Sequence, residues 1–174
     1  IIVDAKSGVT GAGRGLKLQN SFCECTENMK AYKVATHRHT SEIEQELSNV
    51  AGEEIMISFT PHLIPQKRGI LSTIYVNLNR KSSAEELTEM YKEFYKDEFF
   101  VRVKEVGDLP ETKHVAGSNF VDIGVCYDER LQRAVVVSSL DNIVKGAAGQ
   151  AVQNMNLLFG LDEKTALTNP GFYL

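Results

Sequence analysis

The sequence predicts an α+β fold: a mixed, largely antiparallel sheet covered by helices. Three observations carry this expectation. Several segments alternate or cluster β-branched and aromatic residues, as half-buried strands do. Three others repeat apolar residues at the spacing of an amphipathic helix. Adjacent strands also follow one another with no helix between them, which excludes a purely parallel βαβ array.

The elements follow in order. Residues 1–6 read as a strand and residues 7–15 as a glycine-rich loop. Residues 21–34 are ambiguous. Phe22, Cys23 and Cys25 favour a strand, while Glu27–Lys33 has some helical character. Thr40-Ser41-Glu42-Ile43-Glu44 is a helix start, with Ser41 and Glu44 spaced as a capping box. Ile43, Leu47 and Val50 continue that helix, and Gly52 is its stop. Residues 54–60 alternate through Ile55, Ile57 and Phe59 as a strand, and residues 70–79 are β-rich. A second capping box, Ser83 with Glu86, opens a helix with Leu87, Met90, Tyr91 and Phe94 on one face. Residues 99–106 read as a strand. Residues 119–127 and 131–139 form two more, joined by Asp128-Glu129-Arg130, a connection short enough to require an antiparallel pair. Ala148, Ala151, Val152, Met155 and Phe159 give a last helix over 146–159, with Gly160 at the C′ position. The tail 161–174, with Asn169-Pro170-Gly171, reads as an irregular surface segment.

A chain of 174 residues matches one domain of roughly 100–200 residues. With 43% hydrophobic and 24% charged residues it is not a disordered chain. The net charge of −4 argues against a nucleic-acid partner, because neutralising phosphates takes a basic surplus. No apolar run approaches the ~20 residues that span a bilayer, so no membrane role is expected. Three cysteines, Cys23, Cys25 and Cys126, are an odd set that suits a reducing, cytoplasmic compartment. Cys-Glu-Cys is not CxxC spacing, and the three read as small apolar side chains on strands. The chain opens Ile1-Ile2-Val3 without an initiator Met. The expectation is a processed or excised piece of a larger protein.

Four segments hold residues with chemistry. Ser7-Gly8-Val9-Thr10-Gly11-Ala12-Gly13-Arg14-Gly15 lets backbone approach a ligand, and Arg14 offers a fork for phosphate or carboxylate. It is neither a Walker A loop, which needs Lys after the glycine, nor a Rossmann fingerprint, which needs Gly where Leu16 stands. A mobile loop and an anion-binding loop both remain open. His37 and His39 share a face if extended, and they precede a helix N-terminus, which favours a neutral imidazole able to act as a general base. Glu42 in the first turn could orient one of them. Surface histidines without a role, or a metal site of His37, His39 and Glu42 or His62, are the alternatives. Phe59–Gly69, with two prolines, His62, Lys67 and Arg68, either lines a cleft or is a rigid connection. The small residues of Lys145–Gln150 let a second surface pack closely on a helix start. His114 and Gly117-Ser118-Asn119 say little alone.

Taken together, Ser-Gly-Val-x-Gly-Ala-Gly-Arg at 7–14, His-Arg-His-Thr-x-Glu-Ile-Glu-Gln at 37–45, Phe-Thr-Pro-His-Leu-x-Pro at 59–65, Gly-Ser-Asn at 117–119 and Lys-Gly-Ala-Ala-Gly-Gln-Ala-x-Gln-Asn-Met-Asn at 145–156 resemble the N-acetyl-γ-glutamyl-phosphate reductases of arginine biosynthesis. The resemblance spans nearly the whole chain in the family's order. It implies kinship with glyceraldehyde-3-phosphate and aspartate-semialdehyde dehydrogenases, which pair a Rossmann NADP domain with an α+β catalytic domain. Residues 1–174 resemble the second, like the C-terminal catalytic domain of glyceraldehyde-3-phosphate dehydrogenase. The helix over 145–159 would dock on the Rossmann domain. The family's nucleophilic cysteine lies in a motif upstream of Ile1, and none of the three cysteines here has its context.

In that family the thiolate attacks the acyl phosphate and expels phosphate. NADPH then delivers hydride to the thioester, giving N-acetylglutamate 5-semialdehyde. The resemblance gives the acid–base role to His37 or His39, and the substrate pocket to Tyr32, Glu42 and Arg14. It puts Ser7, Gly8, Asn142 and Gln150 near NADP, makes the enzyme a homo-oligomer, and implies that this chain alone is inactive. Another semialdehyde dehydrogenase and a non-enzymatic oligomerisation module are the alternatives. One departure is Ser41, where the family usually has Pro; the capping box would preserve the helix start.

Overall fold

The computed structural model describes residues 1–15 and 17–172. Leu16, where a Rossmann fingerprint would need its glycine, and Tyr173 and Leu174 of the tail lie outside them. Among the described residues seven strands form one sheet: β1 (Ile2–Gly8), β2 (Lys30–Ala31), β3 (Ser58–Ile64), β4 (Ile70–Asn77), β5 (Val101–Val103), β6 (Val121–Asp128) and β7 (Arg133–Leu140). Their order is β2-β3-β1-β4-β7-β6-β5. Only β1/β3 and β5/β6 are parallel, so the sheet is mixed and largely antiparallel, as expected. The helices are α1 (Phe22–Cys25), α2 (Thr40–Ala51), α3 (Ala84–Phe94) and α4 (Gly149–Leu158).

Side chains alternate across a strand, so the register fixes two faces. One carries Ile74 and Val76 of β4, Ala134 and Val136 of β7, and Ile123 and Val125 of β6. Leu87 of α3 packs into these residues, and Tyr91 and Tyr95 flank it. That is the main core. The other face carries Ile2, Leu71, Thr73, Tyr75 and Val135, all at least partly exposed. The backbone at Asp108 and the ring of Pro110 cover its β6 end, where Gly124 leaves no room for a Cβ.

Several boundaries differ from the sequence reading, each for a visible reason. The expected strand 54–60 begins only at Ser58. Upstream, the N–H of Ile55 donates to Ser48 Oγ at 2.8 Å and that of Ile57 to Glu44 Oε1 at 3.1 Å. Side chains of α2 have taken the donors a strand would need. This also removes the capping box expected at Ser41 and Glu44. His39 is the N-cap, with no side-chain cap bond, and Ser41 Oγ donates weakly to Arg38 O at 3.4 Å. Gly52 does end the helix, at φ 73°. At Ser83 half of the expected box forms, the hydroxyl accepting from Glu86 N at 3.1 Å. The Glu86 carboxylate turns instead to Arg80 and Ser82.

β3 continues through Pro61, whose carbonyl accepts from Tyr32 N. The missing proline N–H therefore falls on the β2 side, where the partner strand is only two residues long. The expected strand 99–106 shortens to Val101–Val103, because Phe100 turns inward at 2% exposure and a turn closes over Glu105–Asp108. β6 and β7 begin two residues later than expected. Asn119 is instead buried, bonded to Gln153. Cys23 and Cys25 lie in α1, not on a strand, while Cys126 is on β6; all three are free. The glycine-rich segment is also shorter than expected, since Ser7 and Gly8 belong to β1.

The last helix starts early, in a π-helical turn over Val144–Ala148 that runs into α4. Asp141 Oδ1 accepts from the N–H groups of Ile143 and Val144 at 2.8 and 3.0 Å and starts that turn. Gly160, at φ 67°, ends it: Leu161 N donates to Asn156 O and Gly160 N to Leu157 O, a Schellman closure. Among its described residues the tail has no helix or strand, but it is anchored. Asn156 Nδ2 donates to Glu163 O and Thr165 O, and Phe172 N donates to Ala116 O.

Candidate active site

The histidine segment joins β2 to α2. Lys33 and Ala35 take positive φ values of 48° and 56°, and the turn brings His37 back over the sheet. Its ring sits edge-on to Tyr32 at 5.7 Å, His39 at 4.9 Å and Phe59 at 5.3 Å between centroids. His37 Nδ1 accepts from the His39 backbone N–H at 3.2 Å. A neutral His37 with Nδ1 as acceptor carries its proton on Nε2. Burial, with help from His39, Lys33 and Arg38, holds its pKa below the ordinary value. His39 is different: it is exposed and caps the N-terminus of α2 with backbone only. Glu42 stands one turn further along α2, exposed in its first turn. Burial raises the Tyr32 pKa and keeps that phenol a donor. The structure thus brings His37, His39 and Tyr32 together, beside Glu42.

His62 does not join them. It pairs with Asp4 at 3.0 Å, on the sheet face opposite Phe59. Among the described residues no three His, Cys, Asp or Glu side chains converge as metal ligands.

The glycine-rich loop is a second cluster. Beyond β1 it forms a 3₁₀ turn over Val9–Ala12. It lies along the connection between β3 and β4: Gly8 N donates to Gly69 O at 2.9 Å, Val9 N to Gln66 O at 2.8 Å, and Thr10 Oγ1 to Lys67 O. Gly8 is required here by packing, since a Cβ would meet Gln66 O at 2.9 Å. Ser7 Oγ is partly buried and donates to Gly8 O at 3.3 Å. Arg14 is exposed, with no acidic partner among the described residues. With Thr10, Gly13 and Lys17 it lines an open hollow of about 490 Å³. Gly13 and Gly15 face open space, which leaves their backbone accessible. This cation-lined, glycine-rich surface fits one anionic or amide end of a nucleotide cofactor.

Asn142 reaches this loop from the end of β7, at 5% exposure. Its Oδ1 accepts from Gly69 N at 2.8 Å and its Nδ2 donates to Thr10 Oγ1 at 3.1 Å. Gln150 is not in that network; its amide donates to Asn154 on the same helix. Sequence reasoning missed Asp141 and the role of Arg68. Asp141 is fully buried, 3.1 Å from Arg68 Nη1. Burial would raise its pKa, but the N–H groups of Gly117, Val144 and Ile143, with Arg68, together lower it. The available signal was an Asp three residues ahead of a helical turn, where a carboxylate can cap free N–H groups.

Comparison with known proteins gives a consistent result. A sequence profile for the semialdehyde dehydrogenase dimerisation domain matches residues 1–142. An N-acetyl-γ-glutamyl-phosphate reductase from Acetivibrio thermocellus is 66% identical over 174 residues, all of this chain and 50% of that protein. One from Caldicellulosiruptor saccharolyticus is 57% identical over 99% of this chain and 50% of its own length. The chain spans about half the length of the curated relatives it matches. Among solved structures, aspartate semialdehyde dehydrogenase II from Vibrio cholerae superposes with a TM-score of 0.68 at 18% identity, covering 91% of this chain and 55% of the other. A probable aspartate-semialdehyde dehydrogenase from Pseudomonas aeruginosa gives 0.69 at 17%, with the same coverage. At that identity the likeness shows the fold. Among the described residues no helix is long and apolar enough to cross a membrane.

Proposed function

We propose, because the chain belongs to the semialdehyde dehydrogenase dimerisation-domain family, that it is the catalytic and oligomerisation part of an NADP-dependent N-acetyl-γ-glutamyl-phosphate reductase. The observation that carries this reading is 66% identity along the whole chain to a reductase of that name. The structural neighbours, at 16–18% identity, do not favour a different substrate.

In this reading His39 is the acid–base group at the reacting carbonyl oxygen. Of the two it is the exposed histidine, at the N-terminus of α2. His37 is its support, since the His39 backbone is bonded to His37 Nδ1. Tyr32 as a donor and Glu42 as an acceptor bind polar groups of the substrate, and Arg14 its anionic end. The nicotinamide, when bound, supplies the hydride. Ser7 and the open backbone of the glycine-rich loop would hold that end of NADP, with Asn142 behind them and Gln150 on α4 further out. The nucleophile is assigned to none of Cys23, Cys25 and Cys126. None of them bonds to a histidine, and Cys25 Sγ is spent on Gln19 O.

Two surfaces suit partners. Leu158 and Phe159, at the end of α4, are 84% and 77% exposed and are assigned to a Rossmann domain. The open sheet face around Leu71, Thr73, Tyr75 and Val135 is assigned to a second copy of the chain. The test is direct. Residues 1–174 alone, mixed with NADPH and N-acetylglutamyl phosphate, should leave the NADPH absorbance unchanged, whereas the full-length enzyme consumes it. Turnover by the chain alone would overturn the assignment of the nucleophile. Full-length turnover of aspartyl phosphate in preference to the acetylated substrate would overturn the substrate.

A further inference from the structure

A run of contacts leads from the C-terminal tail to the glycine-rich loop. The Phe172 N–H donates to Ala116 O at 2.7 Å. Its ring fills the space a side chain on Gly117 would need, 2.6 Å from an ideal Cβ, and Gly117 has φ 77°. Only glycine suits both demands. The Arg68 guanidinium stands 5.6 Å over the same ring. Gly117 N and Arg68 Nη1 then converge on Asp141 Oδ2, at 2.7 and 3.1 Å. The next residue, Asn142, bonds the Gly69 backbone and Thr10 Oγ1. Thr10 in turn donates to Lys67 O. Arg68 and Gly69 lie on the connection that the loop rests on.

We propose that Asp141, Asn142 and Thr10 form a latch that positions the glycine-rich loop, and that Phe172 is the strap that seats it through Gly117 and Arg68. This rests on the reading that the loop meets the nicotinamide end of NADP. The latch residues act on the loop as positioning residues. Asp141 has no exposed surface, so all its hydrogen-bonding capacity goes to the protein. The amide of Asn142 is engaged on both sides.

The test uses the full-length enzyme and two mild variants, Thr10→Val and Phe172→Ala, with Thr10→Ser and Phe172→Tyr as conservative controls. The readouts are NADPH affinity by quenching of its fluorescence, KM for the acyl phosphate, Tm, and the rate of tryptic cleavage at Arg14 and Lys17 without ligands. Loss of one hydrogen bond or one packed ring should weaken NADPH binding by about 3–10-fold. The acyl-phosphate KM should rise as well, because Arg14 lies on the same loop, cleavage at Arg14 should quicken, and the conservative controls should behave as wild type. Unchanged NADPH affinity and cleavage, with only Tm lowered, would overturn the latch. If the unmodified enzyme binds no NADPH, the proposed function fails instead, and cleavage at Arg14 still decides whether the latch holds the loop.

Discussion

His37 and His39 are two residues apart and chemically unalike. Sequence shows only that both precede a helix. The structure separates them through a single bond, from the His39 N–H to His37 Nδ1, and through the ring of Phe59. That ring comes from a strand some twenty positions away, and no local pattern reveals the contact. The separation has a pH consequence. The folded chain holds His37 below its ordinary value of 6.5. Between that value and the lower folded one, the unfolded chain binds the extra proton. Stability from this group is therefore full above the unfolded pKa and falls as pH drops below it. The expected outcome is that Tm declines as pH falls from neutrality through 6, and that His37→Phe flattens part of the decline. An identical slope in the variant would mean that His37 is not held neutral. Asp141 is the residue-scale lesson of the opposite kind. Its neighbour Asn142 attracted notice, yet the buried carboxylate organises more of the structure. Its partners, Arg68 and Gly117, are distant in sequence, so no local pattern joined them to it.

Among the elements, helices were legible where the signal was local and less so where it was shared. The apolar face Leu87, Met90, Tyr91 and Phe94 identified α3, and the Ser83 cap forms. The Ser41 box has the same letters but does not form, because Glu44 is drawn to the Ile57 backbone. The two serines should therefore respond differently. Ser83→Ala should cost about 1 kcal/mol in chemical denaturation, and Ser41→Ala should stay within about 0.5 kcal/mol. Ser41→Pro should be neutral or mildly stabilising, since the position lies in the first turn, where a proline is tolerated. A loss of more than about 1 kcal/mol on Ser41→Ala would show that a cap bond exists there after all. Strand edges were misjudged by two to four residues for the same reason. Which backbone donors a sheet receives depends on side chains from other elements, such as Ser48 at Ile55.

For the whole molecule, the mixed sheet follows from strand succession, but the strand order does not. β1, an interior strand, pairs with β3 and β4, and this brings the glycine-rich loop against the β3–β4 connection. Residues 7–15 and 65–69, read separately as two loops, are one structure. The tail, read as irregular surface, proves anchored through Phe172 at Gly117. Half of the candidate site was therefore visible as motifs. The scaffold that joins the motifs was not, because it is made of contacts between segments. The chain matches half the length of its reductase relatives, and in the proposed function it carries the acid–base half of the chemistry. Steady-state NADPH oxidation by full-length enzyme carrying His39→Asn, with N-acetylglutamyl phosphate as substrate, tests this most directly. The predicted result is a rate lower by roughly 10²–10⁴-fold with Tm preserved, as for loss of a general acid–base group. Full activity in His39→Asn, and again in His37→Asn, would contradict it.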